Sequence, residues 1–125
     1  MARKDPIDQD ETARLISSSK VEGTEVYNTQ GERIGEIKDI MIDKYSGNVA
    51  YAIMSFGGWL GIGEKYHPLP WSVLDYEPSQ EGYVVDLDRT RLANAPSYSK
   101  SELSASGYPW RDRVRSYYGA TPFGS

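Results

Sequence analysis

VYNTQGERIGEIKDIMIDKYSGNVAYAIMSFGGWLGIGEKYHPLPW, Val26 to Trp71, decides how this chain folds. It reads as strand, turn, strand, turn, strand, then an apolar glycine-rich loop and a Pro-Trp strand. Val49 to Phe56 is an almost unbroken apolar run, the composition of a strand buried on both faces. Ahead of it, Ile34, Ile37, Ile40 and Ile42 change phase, from a spacing of three to strict alternation. Four isoleucines and Gly35 favour strand over helix. The change of phase then requires one extra residue, a bulge near Lys38-Asp39. The pattern predicts a bent strand from Arg33 to Asp43, joined through the hairpin turn Lys44-Tyr45-Ser46-Gly47-Asn48 to the apolar run.

On the N-terminal side, Gly23 to Asn28 reads as a first strand closed by the turn Thr29-Gln30-Gly31-Glu32, where Gly31 supplies a positive φ. On the C-terminal side come Lys65 to Trp71, Ser72 to Tyr76 and, after the turn Pro78 to Gly82, Tyr83 to Leu87. Pro68 and Pro70 cannot donate to a ladder, so their strand is an edge, bulged or short. Short strands on short turns, without long helices between them, predict an all-β fold: a small antiparallel barrel of about six strands. Asp88 is placed to cap a short helix through Ala93, ending before Pro96.

The flanks read differently. Residues 1–15 are a polar, flexible N-terminal segment, with Leu15-Ile16 as a short docking contact at its end. Residues 97–106 read as a Ser-rich linker. Tyr108 to Gly119 then reads as a short helix, with Pro109 in its first turn and Gly119 as its C-terminal cap. Trp110, Val114, Tyr117 and Tyr118 fall on one face of it. A helix this short is marginal alone in water, so it must dock.

Length and composition narrow the function. A chain of 125 residues builds one hydrophobic core and not two. The absence of cysteine removes disulfides, thiolate nucleophiles and Cys-ligated metals. No apolar run approaches the ~20 residues that span a bilayer, and Met1 to Pro6 lacks the apolar segment of a secretion signal. The expected compartment is the cytoplasm. Residues 20–92 carry 7 Lys/Arg against 12 Asp/Glu, whereas residues 93–125 carry 4 against 2. An acidic body repels a phosphate backbone, which argues against nucleic acid as a partner.

These segments resemble the PRC-barrel domain family. The matching stretches are Gly23-Thr24-Glu25-Val26-Tyr27, Gly31 to Ile37, Ile42-Asp43, Gly47 to Ala52, and Pro70-Trp71 with Leu74, which places the barrel over residues 16–96. The family includes the cytoplasmic part of the photosynthetic reaction-centre H subunit, the C-terminal part of the ribosome maturation factor RimM, and small stand-alone bacterial proteins. Phe56 to Tyr66, Leu92 with Ala95-Pro96, and the Tyr117 to Phe123 tail look like the stand-alone group. The resemblance implies a PRC-type barrel with a short helix after its last strand. It leaves function open, because a fold does not imply one. Neither a transmembrane helix ahead of the barrel nor a separate RNA-associated domain is expected here, so both named functions lose support.

No residue set declares a reaction. Gly58 to Lys65 falls short of a phosphate-binding loop: Glu64 precedes the lysine, and Tyr66-His67-Pro68 cannot open a helix. His67, the single histidine, has no nucleophile pattern around it and reads as structural. Asp86 and Asp88 share a strand face, but one pair is too few ligands for a hard cation, and Asp88 has a cap to make. Asp39 and Asp43 fare no better. No catalytic, cofactor or metal residues are expected.

The aromatic content is the stronger signal. Trp59, Leu60 and Ile62 in the loop, and Trp110, Val114, Tyr117 and Tyr118 on the tail helix, form apolar surfaces outside the regular strands. Either the tail covers its own barrel or one of these surfaces joins another chain. The expectation is a non-enzymatic interaction or adaptor module that self-associates as a homodimer, with a protein partner that the sequence does not name. The alternatives are an accessory protein of electron or proton transfer like the reaction-centre H subunit, and a ribosome maturation or RNA-processing factor.

Overall fold

The computed structural model describes residues 15–56 and 65–119. A one-turn helix α1 (Ser18–Val21) leads into β1 (Glu25–Tyr27), β2 (Arg33–Ile42), β3 (Val49–Phe56) and β4 (Lys65–Pro70). A 3-10 turn at Trp71–Val73 precedes β5 (Asp75–Glu77) and β6 (Gly82–Val84). Three short helices follow: α2 (Arg89–Asn94), α3 (Lys100–Leu103) and α4 (Arg111–Tyr118). No helix among the described residues is long and apolar enough to cross a membrane.

The six strands form one sheet in the order β4-β3-β2-β1-β6-β5. This corrects the expected purely antiparallel barrel in two respects. β1 and β6 run parallel, with Val26 opposite Tyr83 and Tyr27 opposite Val84, so the sheet is mixed. β4 and β5 remain its two edges, so no continuous ladder closes it. Turn chemistry specifies hairpins between consecutive strands, and those are antiparallel as expected. The β1–β6 pair joins distant parts of the chain, and no turn records its direction.

β2 bends where the isoleucine phase changes. Its register on β3 shifts between Ile37 and Asp39, and again between Met41 and Ile42. The first shift leaves Ile34 and Ile37 in the core and turns Lys38 and Asp39 to solvent. Gly35 is required beside it: a Cβ there would lie 2.4 Å from the Ser55 carbonyl oxygen and 2.8 Å from Met54 Cγ. The core joins these residues to Val26, Ala52, Met54, Leu69, Leu87 and Leu92. Val21 of α1 closes one end of it, whereas Leu15 and Ile16, expected as the docking contact, are exposed.

The prolines of β4 fit its edge position for a definite reason. Tyr66 points its N–H and C=O away from β3 and exchanges two hydrogen bonds with Tyr98, at 3.0 and 2.9 Å. Backbone orientation alternates along a strand, so Pro68 and Pro70 share that outward parity and remove no bond to β3. Further along, Ser72 and Val73 belong to the 3-10 turn rather than to a strand, and β6 stops at Val84, short of the expected Leu87. Asp88 caps α2, accepting a 2.7 Å bond from the Arg91 N–H, as the sequence predicts.

The expected linker 97–106 is structured. Besides the Tyr98 bridge it holds α3, closed by a reciprocal capping box: the Ser99 hydroxyl accepts from the Glu102 N–H, and the Glu102 carboxylate accepts from the Ser99 N–H. The Ser-x-x-Glu signature of that cap is present in the sequence.

Asn28 anchors the first turn from a buried position. Its Oδ1 accepts from the N–H groups of Gln30 and Glu32, and its Nδ2 donates to the Glu32 carboxylate at 2.7 Å. That closes the turn around Gly31, whose φ is +84°. Asn28→Ala removes this acceptor from two turn N–H groups, with an expected loss of about 1–3 kcal/mol. The urea midpoint of equilibrium unfolding reads it directly.

Candidate interaction surface

β3 is apolar on both faces, and each face has its own cover. Ala52 and Met54 point into the main core, while Tyr51 and Ile53 point outward into a second cluster with Trp110 and Val114. The Trp110 ring meets Tyr51 edge-on at a centroid distance of 5.1 Å, and Val114 is fully buried. Trp110 Nε1 donates to the Leu103 carbonyl at 3.1 Å, and Arg115 Nη1 donates to the Tyr51 hydroxyl at 3.3 Å. At the far end of α4, the Tyr117 hydroxyl donates to the Arg91 carbonyl at 2.6 Å, and the Arg91 guanidinium lies 5.6 Å from the Tyr117 ring centroid. Tyr118 is half-buried between the two clusters. Its hydroxyl has no hydrogen-bond partner, and burial pushes it far above the ordinary tyrosine value.

The tail helix thus turns its apolar face onto its own sheet. It begins at Arg111, with Pro109 ahead of it instead of in its first turn, and ends on Gly119. Of the seven interaction candidates, Trp110 and Val114 lie inside this intramolecular contact, and Tyr117 and Tyr118 flank it. Trp59, Leu60 and Ile62 lie outside the described residues, as does most of the near-miss phosphate loop.

The remaining candidates for chemistry have structural surroundings. His67 is buried, edge-on to Phe56 at 6.1 Å, with its Nδ1 unpartnered. Burial holds its pKa below the ordinary value of 6.5, and a hydrogen bond to the Pro96 backbone opposes that only in part. Asp39 accepts from the Ile40 N–H at the bulge, and Asp43 accepts from the N–H groups of Tyr45 and Ser46 in the hairpin turn. Those two N–H groups hold the Asp43 carboxyl below its ordinary value. Among the described residues no three His, Asp or Glu side chains gather to hold a metal ion.

Among the described residues the exposed large apolar side chains are Leu15, Ile16, Ile42, Tyr45, Tyr76 and Tyr108, and three of them gather beside the docked tail. Ile42, Tyr45 and Tyr108 are 52%, 99% and 42% exposed. They rim a shallow hollow of about 270 Å³ floored by Met41, Ala50 and Trp110. None of the three was expected from the sequence as a contact residue. Ile42 reads as a core position until the second register shift turns it outward. Tyr45 carried a legible signal: an aromatic ring in a hairpin turn has nothing local to cover it. Tyr108 depends on the tail reaching β2, a tertiary event. Beyond Tyr108 and Trp110 lies a larger cleft of about 500 Å³, between the β2 bulge and α3.

Two outcomes test this account. Trp110→Ala opens a cavity over the outer face of β3 and is expected to lower stability by about 3–5 kcal/mol in chemical denaturation. His67 has a depressed folded pKa, so its contribution is complete above pH 6.5. It is lost as the pH falls, because the unfolded chain takes up the proton first. Carboxylates titrate below about pH 5, so the melting temperature of the native chain should fall between pH 6.5 and that point. That of His67→Gln should stay flat there.

A bent six-stranded sheet, wrapped on the main core and followed by a short capped helix, is the frame on which this surface sits. The model of the PRC-barrel domain matches residues 14–92, from before α1 into α2. No curated protein is similar enough to this chain to match it. The match takes in every strand among the described residues and well over half of the sequence: this chain belongs to the PRC-barrel family.

Proposed function

We propose that this PRC-barrel chain is a non-enzymatic protein-interaction module, cytoplasmic, that pairs with a second copy of itself through the face formed by Ile42, Tyr45 and Tyr108. The observation that carries the reading is the exposure of those three apolar side chains around one hollow. An almost wholly exposed tyrosine beside a half-exposed isoleucine is a surface that gains from being covered.

Three features support a second copy as the occupant. A two-fold contact sets a patch against itself, so any charge it carries is best met by the opposite sign within the same patch. Asp43, Lys44 and Arg111 supply both signs around the hollow. The β4 edge offers no outward N–H at Pro68 or Pro70, and its Tyr66 N–H is taken by Tyr98, so association there by adding strands is blocked. A side-chain face is a better route than that edge. Finally, Tyr108 sits in the left-handed region at φ 47°, directly after Gly107. A tyrosine held there costs on the order of 1–3 kcal/mol, a strain that marks functional positions. The Arg111 N–H and Nε both donate to the Tyr108 carbonyl and help to hold it.

Sedimentation equilibrium at micromolar concentration tests the reading. The native chain is expected to sediment as a dimer. Tyr45→Ser and Ile42→Glu, both at exposed positions that leave the core intact, should each raise the dissociation constant about tenfold or more. A monomeric native chain would end the self-association claim. A dimer indifferent to both substitutions would move the contact elsewhere.

A further inference from the structure

The cleft on the other side of Tyr108 and Trp110 has the character of a ligand site. Its volume of about 500 Å³ falls in the range of small-molecule pockets. Its floor is apolar, formed by Ile53 and Met41 of the sheet and by Leu103 and Trp110 of the tail. Two lysines line it from different elements: Lys38 at the β2 bulge and Lys100 in the first turn of α3. One carboxylate, Asp39, shares the lining, and one of its oxygens is engaged by the Ile40 N–H. The Lys38 ammonium lies 3.7 Å from a Glu36 carboxylate oxygen on the rim, an exposed pair of little strength. The indole N–H of Trp110 already has its acceptor in the Leu103 carbonyl, so the indole itself presents carbon rather than a donor.

An apolar floor with two lysines against one carboxylate gives the cleft a local positive excess in a chain of net charge −4, and that makes it complementary to an organic anion. We propose that this cleft binds a small amphipathic anion: a flat or aliphatic apolar body laid on Ile53, Leu103 and Trp110, with a carboxylate, sulfonate or phosphate head held between Lys38 and Lys100. The bulge gives the site its geometry. The extra residue in β2 turns Lys38 and Asp39 out of the sheet, and the capping box of α3 fixes the turn that carries Lys100. The site thus exists only where the tail lies across β2 and β3. The cleft shares Met41, Tyr108 and Trp110 with the smaller hollow but takes its charged groups from Lys38, Asp39 and Lys100, which that hollow lacks, so the inference does not depend on self-association.

The test uses the full chain and anilinonaphthalene sulfonate, an anionic aromatic whose fluorescence rises in apolar surroundings, beside its uncharged counterpart N-phenylnaphthylamine. Titration should give saturable binding of one sulfonate per chain. Amide shift changes should be confined to residues 38–41, 53 and 100–110. Lys38→Glu and Lys100→Glu each remove one charge-assisted contact and should weaken the sulfonate about tenfold, leaving the neutral compound unaffected. Ser104→Trp, which fills the cleft from an exposed position, should abolish binding of both. Thermal melts of all three variants guard against misreading a loss of fold, and Lys38→Gln with Lys100→Gln repeats the charge test without new anions. Absence of saturable binding, shift changes elsewhere, or sulfonate affinity unmoved by either lysine substitution would overturn the proposal.

Discussion

A strand that is apolar on both faces cannot end a structure; something must lie on each side of it. β3 is such a strand, and the rest of the molecule follows from covering it twice. The bent sheet folds Ala52 and Met54 into the main core with Ile34, Ile37 and Leu69. That leaves Tyr51 and Ile53 facing out, and the tail supplies Trp110 and Val114 to meet them. Burial of apolar surface provides the driving force, at about 25 cal/mol for each square ångström removed from water. The hydrogen bonds from Trp110 to Leu103, and between Arg115 and Tyr51, set the register of the cover rather than its strength.

The position of that cover determines what surface remains. Trp110 sits at the N-terminal end of α4 and is approached by Tyr108 at 6.0 Å and Tyr98 at 6.4 Å. One indole therefore forms part of the inner wall of two hollows, an apolar one beside the β2–β3 hairpin and a larger one edged by lysines. Neither belongs to the barrel alone. Both arise where a docked tail crosses a sheet whose second strand is bulged. The family match covers residues 14–92, so the part of each hollow supplied by residues 100–111 lies beyond the part of the chain that the family model covers.

The charge distribution acquires meaning in the same way. The tail carries an excess of cations and the barrel an excess of anions, but their arrangement is set by which side chains already have partners. Asp43 and Glu102 are held in their ionised forms by backbone N–H groups of their own turns. The Arg33 guanidinium lies against Glu25 on the sheet, and Arg115 against Asp112 on α4. His67, the single histidine, is a buried side chain of β4, and burial lowers its pKa.

The strands of residues 25–56, the bulge at Lys38, the edge character of the proline strand, and the cap of Asp88 were determined locally. Each follows from side-chain periodicity, from the missing N–H of proline or from the reach of a short carboxylate, and none needs a distant partner. The capping box at Ser99 and Glu102 was equally local, though it lay hidden in a stretch whose serines read as linker. Tertiary structure alone decided the parallel pairing of β1 with β6 and the docking of α4 on the outer face of β3. It also decided the exposure of Ile42 and Tyr108 and the meeting of Lys38 with Lys100 across a cleft. Those arrangements join residues far apart along the chain. The free energy that selects among such pairings is area removed from water, which depends on the whole shape and leaves no periodic mark on any one segment.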